Sequence, residues 1–257
     1  MDFPVTFRVG LALLHPHWVL ETLAWTLAFW LYSRQRRLTG DVVAARTRVW
    51  VIAAAAGGGL IGSRLLYLLE NPARTAANWS DASFLVGGKT IVGGLIGGLI
   101  AVEWMKRRLG VTAATGDLMT LPLIVGIAIG RLGCFLSGLD DRSYGTPTGL
   151  PWAVDFGDGV PRHPTQLYEI VFLAALGAAL VRLRLRHQEL GDQFKAFMVG
   201  YMAWRFAIDF LKPGVTIAGL SVIQWACLAM LGYYAPHLQR LTAWHLRPKQ
   251  RPEVVRG

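Results

Sequence analysis

The stretch GRLGCFLSG, residues 130–138, decides how the chain is read, because it closes an apolar run that begins at Leu118 and carries Arg131 near its end. A guanidinium in hydrocarbon is costly and is rarely found there without a partner or a task. The run itself approaches the ~20 residues that span a bilayer as a helix. Outward from this segment the composition agrees. Of 257 residues, 53% are hydrophobic and only 16% charged, against about 25% charged in an ordinary soluble domain. The expected class is therefore an all-α, polytopic membrane protein.

Seven spans are predicted, at 17–32, 49–69, 90–105, 118–136, 165–183, 194–211 and 220–237. Loop charge orients them. One side holds Arg34, Arg36, Arg37, Arg46 and Arg48, then Lys106, Arg107 and Arg108, then Arg182, Arg184, Arg186 and Lys195, then the basic tail. The other holds only Arg8, Arg74, Lys89, Arg142, Arg162 and Lys212. That alternation follows the positive-inside rule and puts the N-terminus outside and the C-terminus in the cytoplasm. It also accounts for the net charge of +10 without a nucleic-acid partner. Residues 1–246 read as one transmembrane domain with an outer-side loop at 138–164, and 247–257 as a polar cytoplasmic tail. No removable signal peptide is expected, since no basic n-region precedes a long apolar core. Cys134 and Cys227 each fall inside a predicted span, which argues against a disulfide framework.

The orientation places Arg64, Lys89, Arg131, His163, Glu169, Arg205 and Asp209 in the outer half, converging from five helices. Intramembrane ionisable residues mark function by default. Arginine's planar fork suits a phosphate, so one cationic pocket for an anionic phospholipid headgroup is the functional expectation. Mutual neutralisation that ties helices together is the structural alternative. Arg205 and Asp209, four apart, can pair on one helix face. Gly58, Gly62, Gly94 and Gly98, with Gly93 and Gly97 beside them, either let two helices approach closely or make room for a lipid chain. In the loop, WAVDF reads as a short strand. Asp140, Asp141 and Tyr144 are candidates for receiving a substrate segment. Pro164 fits the first turn of a helix, with Thr165 or Gln166 helping to satisfy its open amides. His163 is read either as a general base or as a structural cap.

Several segments carry a resemblance: SRLLY at 63–67, GGKTIVGGLIGG at 87–98, Asp117, GRLGCFLSG, RHPTQLYE at 162–169, GYMAWRFAIDF at 200–210 and LSVIQ at 220–224. In order and spacing they resemble the prolipoprotein diacylglyceryl transferases. The resemblance implies an enzyme of the bacterial cytoplasmic membrane that needs no cofactor and no metal. Its donor is phosphatidylglycerol and its acceptor the cysteine that follows a prolipoprotein signal peptide. The thiol attacks the glycerol carbon bearing the phosphodiester, and glycerol 1-phosphate leaves. By match, Arg131 and Arg205 hold the phosphate, and Asp209 stands at a glutamate position; from depth and charge, Lys89 and Arg64 are read as further phosphate anchors. Gly93, Gly94, Gly130, Gln166 and Glu169 line the pocket. No Cys–His ligand spacing is visible.

The chain also departs from the pattern. The family's histidine in GG-x-x-x-H-GG is Val92, its asparagine in GR-x-G-N-F is Cys134, the tyrosine after His-Trp is Val19, and the glutamate after the signature glycine is Leu139. Valine takes no proton, so a base would come from His163, Asp140, Asp141 or Lys89. The departures leave open a second reading, a paralogue with another acceptor or a non-catalytic role in binding phospholipid.

Overall fold

The computed structural model describes residues 3–5, 7–9, 12–14, 16–184 and 189–242, so the predicted polar tail lies outside the described residues. The architecture is helical, in a single chain of antiparallel packings. Long helices are α1 (Pro16–Thr39) and α2 (Ala45–Glu70). Short α3 (Pro72–Ala77) and α4 (Ala82–Gly87) follow. Then come α5 (Ile91–Arg108), α6 (Asp117–Leu136), α7 (Thr165–Arg184), α8 (Asp192–Ile208) and α9 (Val222–Thr242). Among the described residues, three segments are long and apolar enough to cross a membrane: α2, α6 and the Thr165–Arg182 part of α7. Trp25, Phe29, Ile61 and Val171 point outward, while Arg48, Arg131, Glu169, Gln166 and Arg205 are buried. Water would favour the opposite arrangement; a hydrocarbon surround favours this one.

Glycine spacing builds the α2–α5 seam. A Cβ on Gly58 would stand 2.5 Å from the Gly97 carbonyl oxygen, and one on Gly93 2.3 Å from that of Gly62. Backbones that close admit no side chain. The seam uses Gly93 and Gly97 rather than the Gly94 and Gly98 pairing favoured from the sequence, since a Cβ on Gly94 would make an ordinary 3.6 Å contact. These glycines serve packing. α1 lies antiparallel to α6, with Gly126 against Ala24 and Ala28 and Gly133 against His17 and Leu20. The apolar core gathers Val92, Leu95, Ile124, Leu173, Phe197, Met198, Tyr201, Met202 and Cys227 from α5 to α9.

Polar clips lock one end of the bundle. Asp41, in the α1–α2 turn, pairs with Arg36 at 2.9 Å and with buried Arg48, whose Nη1 donates to the Thr115 carbonyl at 3.0 Å. Burial raises the Asp41 carboxyl. The Arg48 hydrogen bond and charge, the Val43 amide and Arg36 together outweigh that and hold it below its ordinary value. Asp117 accepts from the amides of Gly191 (2.6 Å) and Phe194 (3.0 Å), capping the start of α8 from another helix. A carboxylate there satisfies open amides and complements the helix dipole.

Boundaries moved in informative places. The first helix continues to Thr39, because YSRQRRLT keeps helical propensity after the apolar run ends. The sixth predicted span is broken at Ile208 into a 3-10 turn, Asp209–Leu211. WAVDF does supply a strand: β3 (Val154–Asp155) pairs antiparallel with β4 (Pro161–Arg162). The sequence reading does not anticipate the β1–β2 hairpin (Phe7–Val9 with Ala12–Leu14), the β5–β6 hairpin (Thr216–Ile217 with Leu220–Ser221), or the short helices α3 and α4. The Thr165 hydroxyl donates to the Ser143 carbonyl at 2.7 Å and pins the loop to the helix.

Candidate active site

The end of the bundle opposite the Asp41 and Asp117 clips holds a chain of charged groups. Arg131, one turn from the end of α6, points its Nε at Glu169 Oε2 on α7, 2.9 Å away. Glu169 is fully buried and also accepts from the Tyr201 hydroxyl of α8 at 2.6 Å. One turn along α8, Arg205 pairs through Nη2 with Asp209 Oδ1 at 2.9 Å, as the four-residue spacing predicts. The 3-10 turn that ends α8 carries Asp209. Its other oxygen accepts from the Ser221 hydroxyl. Gln224 completes the frame, accepting from the Ser221 amide at 2.8 Å and donating to the Phe206 carbonyl at 3.1 Å.

Two guanidinium groups are thus each held by a carboxylate along one edge. A guanidinium has five donors, so each keeps others. Arg205 Nη1 is buried and makes no hydrogen bond to the described residues, and neither does the amide of Gln166, beside Glu169 in the first turn of α7. Buried polar atoms of this kind are rare and call for an explanation. Lys212, just past the 3-10 turn, feels the charges of Arg205, Arg131, Glu169 and Asp209. Glu70, at the end of α2, feels those of Arg205, Asp209 and Lys212.

Other sequence candidates lie apart from this chain of contacts. Arg64 donates to the Gly88 carbonyl and fixes the turn into α5. Lys89 is half exposed and pairs with Glu21 of α1 at 2.6 Å. His163 is held inside the loop: its amide donates to Thr146, its carbonyl accepts from Gly145 and Thr165, and Nδ1 lies 3.2 Å from the Tyr168 hydroxyl. Tyr144 lies between the Phe156 ring and the Arg162 guanidinium. Phe156 in turn contacts Phe135 and Phe3, an aromatic clasp that seats the loop on α6. A Cβ on Gly130 would meet open space, whereas Gly93 belongs to the tight α2–α5 seam and Gly94 makes only an ordinary contact beside it. Val92 is buried in the apolar core. Asp140 and Asp141 sit on a 3-10 turn, Gly138–Asp141, directly after α6. Asp141 approaches His17 and Cys134, and one ligand atom from each of the three lies within 4.8 Å of the others. Sequence spacing hides this set, because its members are residues 17, 134 and 141.

Sequence reading missed Tyr201, Ser221, Gln224, Glu70 and Lys212. Tyr201 had a usable signal, being four residues before Arg205 and so on the same helix face. Ser221 and Gln224 had only their place in LSVIQ, and nothing local connects either with Asp209.

Apolar-faced helices around buried, carboxylate-held arginines define a helical membrane protein with a built polar site. Residues 4–235 match the family described as prolipoprotein diacylglyceryl transferase, and the chain belongs to that family. The relatives that carry the name phosphatidylglycerol–prolipoprotein diacylglyceryl transferase include three from different genera. The one from Bordetella bronchiseptica is 33% identical over 243 residues, covering 89% of this chain and 91% of its own. The one from Polynucleobacter necessarius is 34% identical over 187 residues, 68% of each chain. The one from Geobacter sulfurreducens is 30% identical over 229 residues, 84% of this chain and 85% of its own.

Proposed function

We propose that this chain transfers a diacylglyceryl group from phosphatidylglycerol to a prolipoprotein cysteine thiol, with Arg131 and Arg205 holding the phosphate that departs. The observation that carries the reading is the pair of carboxylate-held guanidinium groups, one with a buried donor that has no partner among the described residues, in a chain whose family is named for this reaction. Charge grows on the phosphate oxygen as the glycerol carbon–oxygen bond breaks. Fixed cations in a dry site stabilise that change more than they stabilise the ground state. Glu169 and Asp209 act by holding each arginine in place.

The chain would cross the bacterial cytoplasmic membrane seven times, N-terminus outside, with the site at headgroup depth in the outer leaflet. The clips support this topology. Asp41–Arg48–Thr115 and Asp117–Gly191 join loops that the topology puts on the cytoplasmic side, whereas Lys89–Glu21 and Arg64–Gly88 join segments on the other. The loop at 138–164, seated by Phe156, would face the prolipoprotein, with Asp140, Asp141 and Tyr144 at its rim.

Val92, where a histidine is expected, favours a second reading: a family member with a different acceptor or one that only binds the lipid. One experiment separates them. Purified protein in phosphatidylglycerol vesicles is given a peptide with a lipoprotein-type cysteine, and glycerol phosphate release and peptide mass are followed together. Release with a diacylglyceryl mass gain, both lost in Arg131→Ala, is the expected result. Folded protein that binds the lipid and releases nothing would overturn the transferase reading.

A further inference from the structure

We propose that His17, Cys134 and Asp141 form a three-ligand site for a zinc-class divalent cation, whose open position takes the acceptor thiol. The inference deepens the transferase reading and rests on it for the identity of the thiol.

The ligand set comes first. An imidazole, a thiol and a carboxylate, with one ligand atom each within 4.8 Å of the others, converge from the start of α1, the last turns of α6 and the 3-10 turn that follows. Tetrahedral zinc at ~2.0–2.3 Å from each donor needs donors about 3.3–3.5 Å apart, so the three side chains would draw together on binding. The mixture of nitrogen, sulfur and oxygen suits zinc and disfavours calcium or magnesium. Three protein ligands with one position open is the arrangement of catalytic zinc, whereas structural sites close with four. All three residues are of intermediate burial.

Two independent observations point to a ligand. Asp141 Oδ2 is buried yet makes no hydrogen bond to the described residues, a state that a bound cation resolves. Behind the imidazole stands a carboxylate, Glu21 Oε2, 3.6 Å from His17 Nε2, and Glu21 is itself fixed by Lys89 at 2.6 Å. Metal-ligating histidines are regularly oriented by such a carboxylate.

Placement gives the site its use. Cys134 follows Arg131 by three residues, about one turn of α6. The cation would therefore border the phosphate-holding arginine. A thiol bound to zinc gives up its proton at neutral pH, which supplies the deprotonation that Val92 cannot. The step balances. The acceptor thiol coordinates and releases its proton to water. Its sulfur attacks the glycerol carbon and a carbon–sulfur bond forms. The carbon–oxygen bond to phosphate breaks, its electron pair leaves on the phosphate oxygen toward Arg131 and Arg205, and the thioether dissociates from the ion.

The test uses the full chain in detergent, stripped of metal, with no added small thiol, titrated with Co2+. One equivalent should bind with a thiolate-to-cobalt charge-transfer band that Zn2+ abolishes. Cys134→Ser should lose the band. Glu21→Gln should keep it but weaken binding about 10–100-fold. Cys134→Asn, which restores the family's amide, controls for folding. A cysteine peptide should shift the cobalt spectrum and its serine analogue should not, whether or not turnover follows. No cobalt binding by the folded chain, a band that survives Cys134→Ser, or transfer that proceeds unchanged under chelation would each overturn the inference, and the last would leave the transferase reading standing. A cobalt site that answers the cysteine peptide in a protein that transfers nothing would keep the metal site and sink the transferase reading instead.

Discussion

Removing Arg131 and Glu169 singly and together separates what the pair does for the fold from what one member does for the reaction. Both side chains are almost wholly buried and 2.9 Å apart. Arg131→Met strands a carboxylate, and Glu169→Leu strands a guanidinium. Either should destabilise by about 3–5 kcal/mol, the usual result of breaking one side of a buried ion pair. Glu169→Leu also leaves the Tyr201 hydroxyl, now 2.6 Å from Oε1, without its acceptor, for about 1–3 kcal/mol more. The double variant strands neither charge. It should recover most of the loss, because well-packed apolar replacements of buried pairs are often neutral. Turnover should behave differently. Arg131→Met should lower it by about 10²–10³, the usual effect of deleting one charge-stabilising donor, and the double variant should stay equally slow. Equilibrium unfolding in mixed micelles and the vesicle transfer assay, run on all four proteins, give both readings. If the losses of stability simply add, the two groups do not form a buried pair and the site geometry is wrong. If turnover returns with stability in the double variant, Arg131 acts only through the fold.

Three further outcomes follow from the packing and the clips. Gly93→Ala, whose Cβ would meet the Gly62 carbonyl at 2.3 Å, should destabilise by about 1–3 kcal/mol as an overpacked contact. Gly94→Ala, at 3.6 Å from Gly59, should be neutral or gain up to about 1 kcal/mol of helix propensity; thermal unfolding of the two side by side checks the seam. Asp117→Ala should cost about 1 kcal/mol by uncapping α8, read as faster amide exchange at Gly191 and Phe194. Because the folded Asp41 carboxyl is held below its ordinary value, its contribution is present above that value and is lost as pH falls through the folded one. Asp41→Asn should therefore destabilise at neutral pH and flatten the acid limb of the stability profile in that range.

Chain-local physics explains what was legible in the sequence. Apolar runs and loop charge locate the long helices, and ionisable residues set within apolar segments locate Arg131, Glu169, Arg205 and Asp209, because burying an unpartnered charge is costly wherever it occurs. The Arg205–Asp209 pair is visible as a four-residue spacing. What escaped depends on separations in space that sequence does not encode. Which of two adjacent glycine pairs faces α2 depends on the rotation of α5 about its axis, and that rotation is set by the whole seam. Lys89 looked like a phosphate anchor by depth alone, yet Glu21 of another helix holds it at 2.6 Å. Ser221 and Gln224 support Asp209 only because α9 returns against the end of α8.

The same logic bears on Val92. A histidine at that position would be placed by α5, whose seam with α2 leaves little freedom to re-aim it. Substituting valine puts an apolar side chain into the core with Leu95 and Leu173 and removes a buried polar group, so the fold tolerates the loss. The reaction does not tolerate it without a replacement for the base. Cys134 departs from the family pattern on a different helix, beside a carboxylate and an imidazole that carry different chemistry. Restoring histidine at Val92 while changing Cys134 to asparagine would test whether the two departures compensate. If they do, each single reversion should give an enzyme worse than the double one, whose transfer should proceed in the presence of chelator. If both single reversions keep full, chelator-insensitive transfer, the departures are independent and the proton leaves by another route.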